Sequence, residues 1–312
     1  MSIEISADDA NLDQLQDVSV AEILQSIDQG LVHLPTYREL YYRWERQQWQ
    51  SQEIDFIADR IQWEDMSEEE RQSHVAALAT FFQGEACVTD ALASYVLAAP
   101  DEEIRIFLTT QLVDEARHTV FFDRFFHDVL EIDGTSLEES LAIAQQYINA
   151  ATRHILLEAL PETADRIRQE PQNLTHLIEG VVLYHLIIEG TMALAGQRAL
   201  LERFREEHIF PSLCAGMAAL TRDESRHVLF GVRFLRDMLQ HDASYARVIS
   251  DAINYYAPIA FEGLTFPDEL IQRMLAEGDD PWKSFRYGRD SLRKKLKVIG
   301  LEIELPGIPA RA

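Results

Sequence analysis

Asp114-Glu115-Ala116-Arg117-His118 and Asp223-Glu224-Ser225-Arg226-His227 are one five-residue phrase written twice in a chain of 312 residues. Each copy contains Glu-x-x-His. On an α-helix, residues three apart project from one face with a rise of about 4.5 Å between them, so each phrase aims a carboxylate and an imidazole the same way. Two further glutamates stand in apolar surroundings, Glu85 in FFQGEACV and Glu189 in YHLIIEGTMAL. An ionised glutamate among Phe, Leu and Ile costs several kcal/mol unless it is paired or coordinates a cation. Glu85, Glu115, His118, Glu189, Glu224 and His227 are therefore read as metal ligands. Their four carboxylates balance two divalent ions, and hard oxygens with one imidazole per ion suit iron or manganese better than zinc. A lone Glu-x-x-His arises easily by chance. Two copies inside one pentapeptide, each following a glutamate 30 or 35 positions upstream, do not. A ligating histidine gives its second ring N–H to a carboxylate. Asp223, directly before a ligand glutamate, is assigned that role, while Asp114 stays open between it and another core role.

These donors need helices to carry them. Ser67 followed by Glu70 makes a capping box that opens a helix running to about Ala98, where Pro100 stops it. Asp101-Glu102-Glu103 starts the next helix, which holds the first phrase and is expected to break at Asp133-Gly134. Another is expected from near Ser136 to Leu160-Pro161, and the helix bearing Glu189 starts around Pro171. Pro211 precedes the helix of the second phrase, which runs towards Gln240. A further helix spans Ala243 to about Thr265, and Pro267 and Pro281 punctuate two shorter ones. Strand-like alternation is hinted at only over residues 298–305. The expectation is an all-α chain with residues 1–35 as an acidic lead-in and residues 36–312 as one helical domain. Its two halves each pair a glutamate-bearing helix with a Glu-x-x-His helix, the way a helical bundle builds a dinuclear carboxylate centre.

Composition narrows the function. Hydrophobic residues make up 47% of the chain, so a dry core is available, and the net charge of -25 argues against a nucleic-acid partner. The basic run Arg293-Lys294-Lys295-Leu296-Lys297 reads as the solvated face of a last helix. Cys87 and Cys214 lie far apart in apolar helical sequence and read as buried reduced thiols, for which the cytoplasm is the natural compartment. The first residues have no basic region or apolar core of a secretory signal, and no uninterrupted apolar run reaches the roughly 18 residues of a transmembrane span. The remaining histidines, His185 included, read as surface or hydrogen-bonded core residues.

Nearly end to end, the chain resembles the small-subunit family of class I ribonucleotide reductase. Trp49-Gln50-Ser51-Gln52-Glu53-Ile54-Asp55-Phe56 is close to that family's W-x-P-x-E-I-D-F segment, and Glu85, both Glu-x-x-His phrases and Glu189 follow in order. The resemblance implies a ferritin-like bundle, a homodimer, and a hydrogen-bonded line from Trp49 through Asp223 to His118. Three departures stand out. Phe122 occupies the place of the radical-bearing tyrosine, and a phenyl ring has no O–H to lose. Glu85 stands where most small subunits have aspartate, and LEIELPGIPARA lacks the acidic, tyrosine-containing tail.

The chain is more closely similar to the ligand-binding oxidase branch of that superfamily. Gly84-Glu85-Ala86-Cys87-Val88-Thr89 matches its G-E-x-x-V-T. Tyr184 stands five residues before Glu189-Gly190, which Thr191-Met192-Ala193-Leu194-Ala195-Gly196 follows as in that branch. This resemblance implies a manganese and iron pair, with Fe/Fe as a variant, and O₂ as oxidant. It places Mn with Glu85, Glu115 and His118, places Fe with Glu189, Glu224 and His227, and makes Glu115 the bridge. It further implies a long-chain fatty acid in an apolar tunnel and an ether bond between the Tyr184 oxygen and the Val88 β-carbon. Val88 follows Glu85 by three residues on one helix face, and Tyr184 is within helical reach of Glu189. Residue types do not explain the metal order, since Fe²⁺ normally binds more tightly than Mn²⁺. Two other readings stand beside it: a ribonucleotide reductase small subunit using a metal-based oxidant, which Phe122 permits, and ferritin-like iron storage, for which the chain is long.

Overall fold

Ser67 Oγ accepts the Glu70 N–H, and the Glu70 carboxylate returns to the Ser67 N–H at 2.8 Å. That capping box starts a helix of 31 residues, as the sequence expects. The same device, unread in the sequence, opens three earlier helices, at Asn11/Gln14, Ser19/Glu22 and Thr36/Glu39. The structure, a computed structural model, describes residues 7–16, 18–132, 134 and 136–309. Asp133, the expected helix breaker, and residues 1–6 lie outside the described residues.

In chain order the helices are α1 (Leu12–Leu15), α2 (Val20–Val32), α3 (Tyr37–Arg46), α4 (Ile57–Asp65), α5 (Glu68–Ala98), α6 (Glu102–Asp128), α7 (Leu137–Ala144), α8 (Ala150–His154), α9 (Leu160–Gln169), α10 (Leu174–Val181), α11 (Leu194–Glu206), α12 (Pro211–His241), α13 (Tyr245–Gly263), α14 (Asp268–Glu277) and α15 (Lys283–Ile299). Two π-helical stretches, Ile155–Ala159 and Val182–Ala193, join α8 to α9 and α10 to α11 without a break. No strand occurs among the described residues, so the hint over residues 298–305 is not realised; residues 301–309 are irregular. The chain is all-α, as expected.

The bundle core is made of α5 packed on α6, and of the 182–193 stretch packed on α12. Phenylalanines fill the first seam: Phe82 meets Phe126 at 4.9 Å between ring centroids, and Phe81 stacks on Phe122 at 6.2 Å. Each such ring, fully buried, contributes about 1.5–3 kcal/mol relative to exposure. α12 is buried on every side from Leu213 to Val232. A helix apolar all round belongs in a core, yet this one carries Asp223, Glu224, Arg226 and His227 inside its buried run, so each must find a partner.

α12 also starts under strain. Phe210, just before it, has φ 49°, a left-handed conformation that costs a non-glycine residue of order 1 kcal/mol. Its ring is held among Phe125, Phe204 and His74 at 5.5–5.6 Å. The free N–H groups of Ser212 and Leu213 are taken by the carboxylate of Asp59 on α4, at 3.0 and 2.7 Å. Burial pushes that carboxyl up to about 6.

Several expectations need correction. Within the stretch expected as a lead-in, α2 packs on α12 and buries Ile23, Ile27 and Leu31, while its acidic residues face outward. The helix expected from Ser136 to Pro161 is broken after α7, and Asn149 caps a new start. Pro161 does not end that new helix. The Leu160 N–H reaches back five residues to the Ile155 carbonyl, so the proline falls where the hydrogen-bond ladder changes register and its missing N–H is not needed. The joined helix Leu174–Glu206 does reach the length and mean hydropathy of a membrane span, but 83% of that window is buried inside the protein, so it reads as a core helix. Within the basic run of α15, Lys295 is fully buried, although Arg293 and Lys294 are exposed.

Candidate metal centre

Four helices converge on one point. α5 brings Glu85, α6 brings Glu115 and His118, the 182–193 stretch brings Glu189, and α12 brings Glu224 and His227. Their donor atoms form two overlapping groups, Glu85/Glu115/His118/Glu224 and Glu115/Glu189/Glu224/His227, each with all atoms within 4.8 Å of one another. All six side chains are buried. Glu115 and Glu224 belong to both groups, so both are placed to bridge.

The histidines are wired outward to aspartates, and the wiring crosses between the halves. His118 Nε2 lies 3.2 Å from Asp223 of the second phrase, and His227 Nε2 lies 3.2 Å from Asp114 of the first. Each aspartate in turn accepts an indole N–H: Trp49 to Asp223 at 2.7 Å, Trp44 to Asp114 at 3.0 Å. Arg226, itself buried, spans the two, with 2.8 Å to each aspartate. Arg117 adds a 2.5 Å bond to Asp114. The expected line from Trp49 through Asp223 to His118 is present, and Asp114 holds the matching place in a second line. Trp44, Arg117 and Arg226 were not singled out in the sequence, although the repeated Arg of the phrase was a usable signal.

Electrostatics follow from this packing. Burial, and then the neighbouring carboxylates, push the Glu189 and Glu224 carboxyls up, and burial pushes Glu85 up to about 8. Burial works against the Glu115 and Asp223 carboxylates too, but His227 and His118 beside Glu115, and Arg226 beside Asp223, hold both well below the usual range. Each histidine donates its Nε2–H to an aspartate; burial opposes a charge on the ring, but the surrounding carboxylates push both histidines well above their usual range, so each Nδ1 also carries a proton unless a metal ion takes its place. His118 Nδ1 faces Glu115 and Glu85 oxygens at 3.2 and 3.3 Å, and His227 Nδ1 faces Glu115 and Glu189 at 3.1 and 3.3 Å. Carboxylate oxygens crowd each Nδ1 this closely because positive charge lies between them, a place that a divalent ion can take from a proton. Glu189 Oε2 and Glu224 Oε2 are buried and accept no hydrogen bond. The donor set therefore fits a pair of divalent cations.

Around it, the Tyr184 hydroxyl donates to Glu115 Oε1 at 2.7 Å. Gln111 Nε2 lies 2.9 Å from the Tyr184 oxygen and 3.0 Å from Glu189 Oε1, and Gln111 Oε1 lies 3.0 Å from His185 Nε2. Val88 is buried one turn beyond Glu85. Phe122 is buried against Phe81 and Phe121. Gly84 leaves room: a Cβ there would meet only Leu156, at 3.9 Å. A surface groove of about 760 Å³ among Asp165, Arg166, Glu179 and Tyr255 includes no residue of the centre.

A family model described as ribonucleotide reductase, small chain, matches residues 32–257. Solved structures of R2-like ligand-binding oxidase variants share the fold over 85% of this chain. A valine-to-leucine variant with anaerobically reconstituted Mn/Fe cofactor is 24% identical at a TM-score of 0.72, with 94% of that chain covered. A valine-to-isoleucine variant with aerobically reconstituted Mn/Fe cofactor is 25% identical at 0.74, also with 94% covered. A glycine-to-leucine variant with non-activated Mn/Mn cofactor is 24% identical at 0.72, with 93% covered.

Proposed function

Because the chain belongs to the ribonucleotide reductase small-chain family, we propose that it is an O₂-activating dinuclear oxidase of the ligand-binding kind. In this reading it carries Mn and Fe and links Tyr184 to Val88. One observation carries it: the buried phenol of Tyr184 bonds Glu115, a carboxylate common to both donor groups, while the position of the usual radical tyrosine is Phe122. Glu85, Glu115 and His118 would hold one ion and Glu189, Glu224 and His227 the other, with Glu115 between them. The pair, when bound, reduces O₂ and supplies two of the four electrons that take it to water.

The chain's own groups supply the rest. Tyr184 loses its O–H proton and Val88 its β-hydrogen, the oxygen–carbon bond forms, and the two electrons and two protons released go to O₂. Glu115 stands in line to take the phenol proton, at 2.7 Å. The buried walls keep water from competing for the oxidant. The room beside Gly84 supports an apolar ligand such as a long-chain fatty acid reaching the centre between α5 and Leu156. A homodimer fits the exposed row Ile106, Val113 and Val120 on α6, each close to half exposed and seven residues apart. In this reading α2 belongs to the same unit as residues 36–312.

The test is peptide mass analysis after aerobic loading with manganese and iron. The expected product is one pair of peptides, containing Val88 and Tyr184, joined and lighter by two hydrogens. Fully loaded protein with separate peptides removes the oxidase reading. The intact line Trp49–Asp223–His118 favours a second one, a small subunit that passes an oxidising equivalent to a partner. Nucleotide reduction on mixing with a ribonucleotide reductase large subunit is its sign.

A further inference from the structure

Tyr184 has one hydrogen to give, and Glu115 Oε1 at 2.7 Å takes it. The phenol oxygen must then accept from Gln111 at 2.9 Å, which requires the amide to present its NH₂. The same NH₂ donates to Glu189 Oε1 at 3.0 Å, a second reason for that orientation. Gln111 Oε1 is left facing His185 Nε2 at 3.0 Å, and an amide oxygen only accepts, so His185 is the Nε2–H tautomer.

Packing holds the His185 ring in this place. Its ring meets Tyr184 edge-on at 4.5 Å between centroids and Phe230 at 5.2 Å, and a Cβ on Gly231 would collide with its side chain. It is fully buried, and burial together with nearby His227 holds its ring well below the usual histidine range, so it stays neutral. The four polar groups, His185, Gln111, Tyr184 and Glu115, are all buried and joined in one direction of donation.

We propose that Gln111 is a catalytic residue for the Tyr184 oxygen and that His185 is the positioning residue that fixes the Gln111 amide. When Tyr184 is oxidised, its proton has one acceptor, Glu115, and its oxygen stays pinned by the Gln111 N–H while it bonds to the Val88 β-carbon. The displaced Val88 hydrogen and both electrons pass to O₂, as in the reading above, on which this proposal rests. Without the amide donor the phenol can swing from Glu115, and the reacting atoms lose the alignment on which such a bond formation depends.

The test uses Gln111→Leu, His185→Phe and the conservative His185→Gln, whose amide N–H can replace the imidazole donor. Metal content is read by elemental analysis and linkage by peptide mass. We expect Gln111→Leu and His185→Phe to lower the linked fraction about tenfold or more with both metals retained, the loss expected of one buried hydrogen bond at a reacting atom. His185→Gln should recover most of it. Gly231→Ala, which pushes His185 without changing any polar group, should act like His185→Phe. Linkage unchanged in Gln111→Leu overturns the proposal. A second measurement needs no metal. Nitrogen NMR of histidine-labelled protein should show His185 as a neutral Nε2–H ring, and the phenol C–O infrared band of labelled Tyr184 should shift in Gln111→Leu. An Nδ1–H ring or an unmoved band overturns the proposal even if the chain forms no link, whereas absent linkage in the parent chain with both signatures present sinks the oxidase reading and the catalytic role resting on it, and leaves the positioning of the Gln111 amide by His185.

Discussion

The aspartate that opens each phrase shows how far single residues can be read. Asp223 was assigned beforehand as a receiver of a histidine N–H, but Asp114 was left open, although its phrase is the same. The structure makes them equivalents, each holding the histidine of the other half and each taking a tryptophan N–H. Trp44 was not legible because nothing local separates it from any other half-buried tryptophan; only the duplication, applied to Trp49 and Asp223, points to it. Equivalence is testable. Asp114→Asn and Asp223→Asn should each weaken metal retention about 10–100-fold, the range found for partners of ligating histidines, when release to a chelator is followed. A loss confined to Asp223→Asn would show that the second line is idle. Glu224→Ala goes further: it removes a donor from both groups and should leave the second ion unbound by elemental analysis.

Among elements, the starts of α5 and α6 were legible because capping residues act locally, and the π-helix was not, because only tertiary packing asks for it. Tyr184 lies five residues before Glu189. On an α-helix of 3.6 residues per turn that separation leaves the two side chains about 140° apart, on different faces. The stretch 182–193 instead bonds five residues back, so residues five apart lie nearly above one another. This is how the phenol and the carboxylate both come to Gln111. Thr191 Oγ1 ties to the Leu186 carbonyl at 2.7 Å, again five residues back, and Lys295 Nζ on α15 takes the Gly190 carbonyl at 2.7 Å. Burial lowers the Lys295 pKa to about 7 from 10.5. The sign follows: the unfolded chain binds this proton between about 7 and 10.5 and the folded one does not, so stability rises with pH there and is lost as pH falls through 7. The increment is up to about 5 kcal/mol. Denaturant titrations across that window should show a slope in the parent chain that Lys295→Met flattens. Gly84 offers a second test on α5. Gly84→Leu would fill the space towards Leu156, and should abolish co-purification of an apolar ligand, read by lipid mass analysis, while metal content holds.

For the whole molecule, all-α architecture and duplicated hairpins were legible from hydrophobic periodicity and the repeated phrase, whereas the packing of α2 was masked by acidic residues on its outer face. The row Ile106, Val113 and Val120 is the outer surface of the helix whose inner surface carries Glu115 and His118. Self-association through it predicts that Val113→Glu shifts sedimentation from dimer to monomer with helical circular dichroism unchanged; a monomeric parent chain would end the idea. The crossed aspartates carry a further consequence, one of descent. A lone hairpin, with its glutamate, its Glu-x-x-His and its aspartate, cannot orient its own imidazole, since the carboxylate that does so stands in the opposite half. If the doubled phrase records a fusion of two gene copies, the unfused ancestor was already a twofold pair of chains lending aspartates to each other, and fusion made that mutual loan permanent.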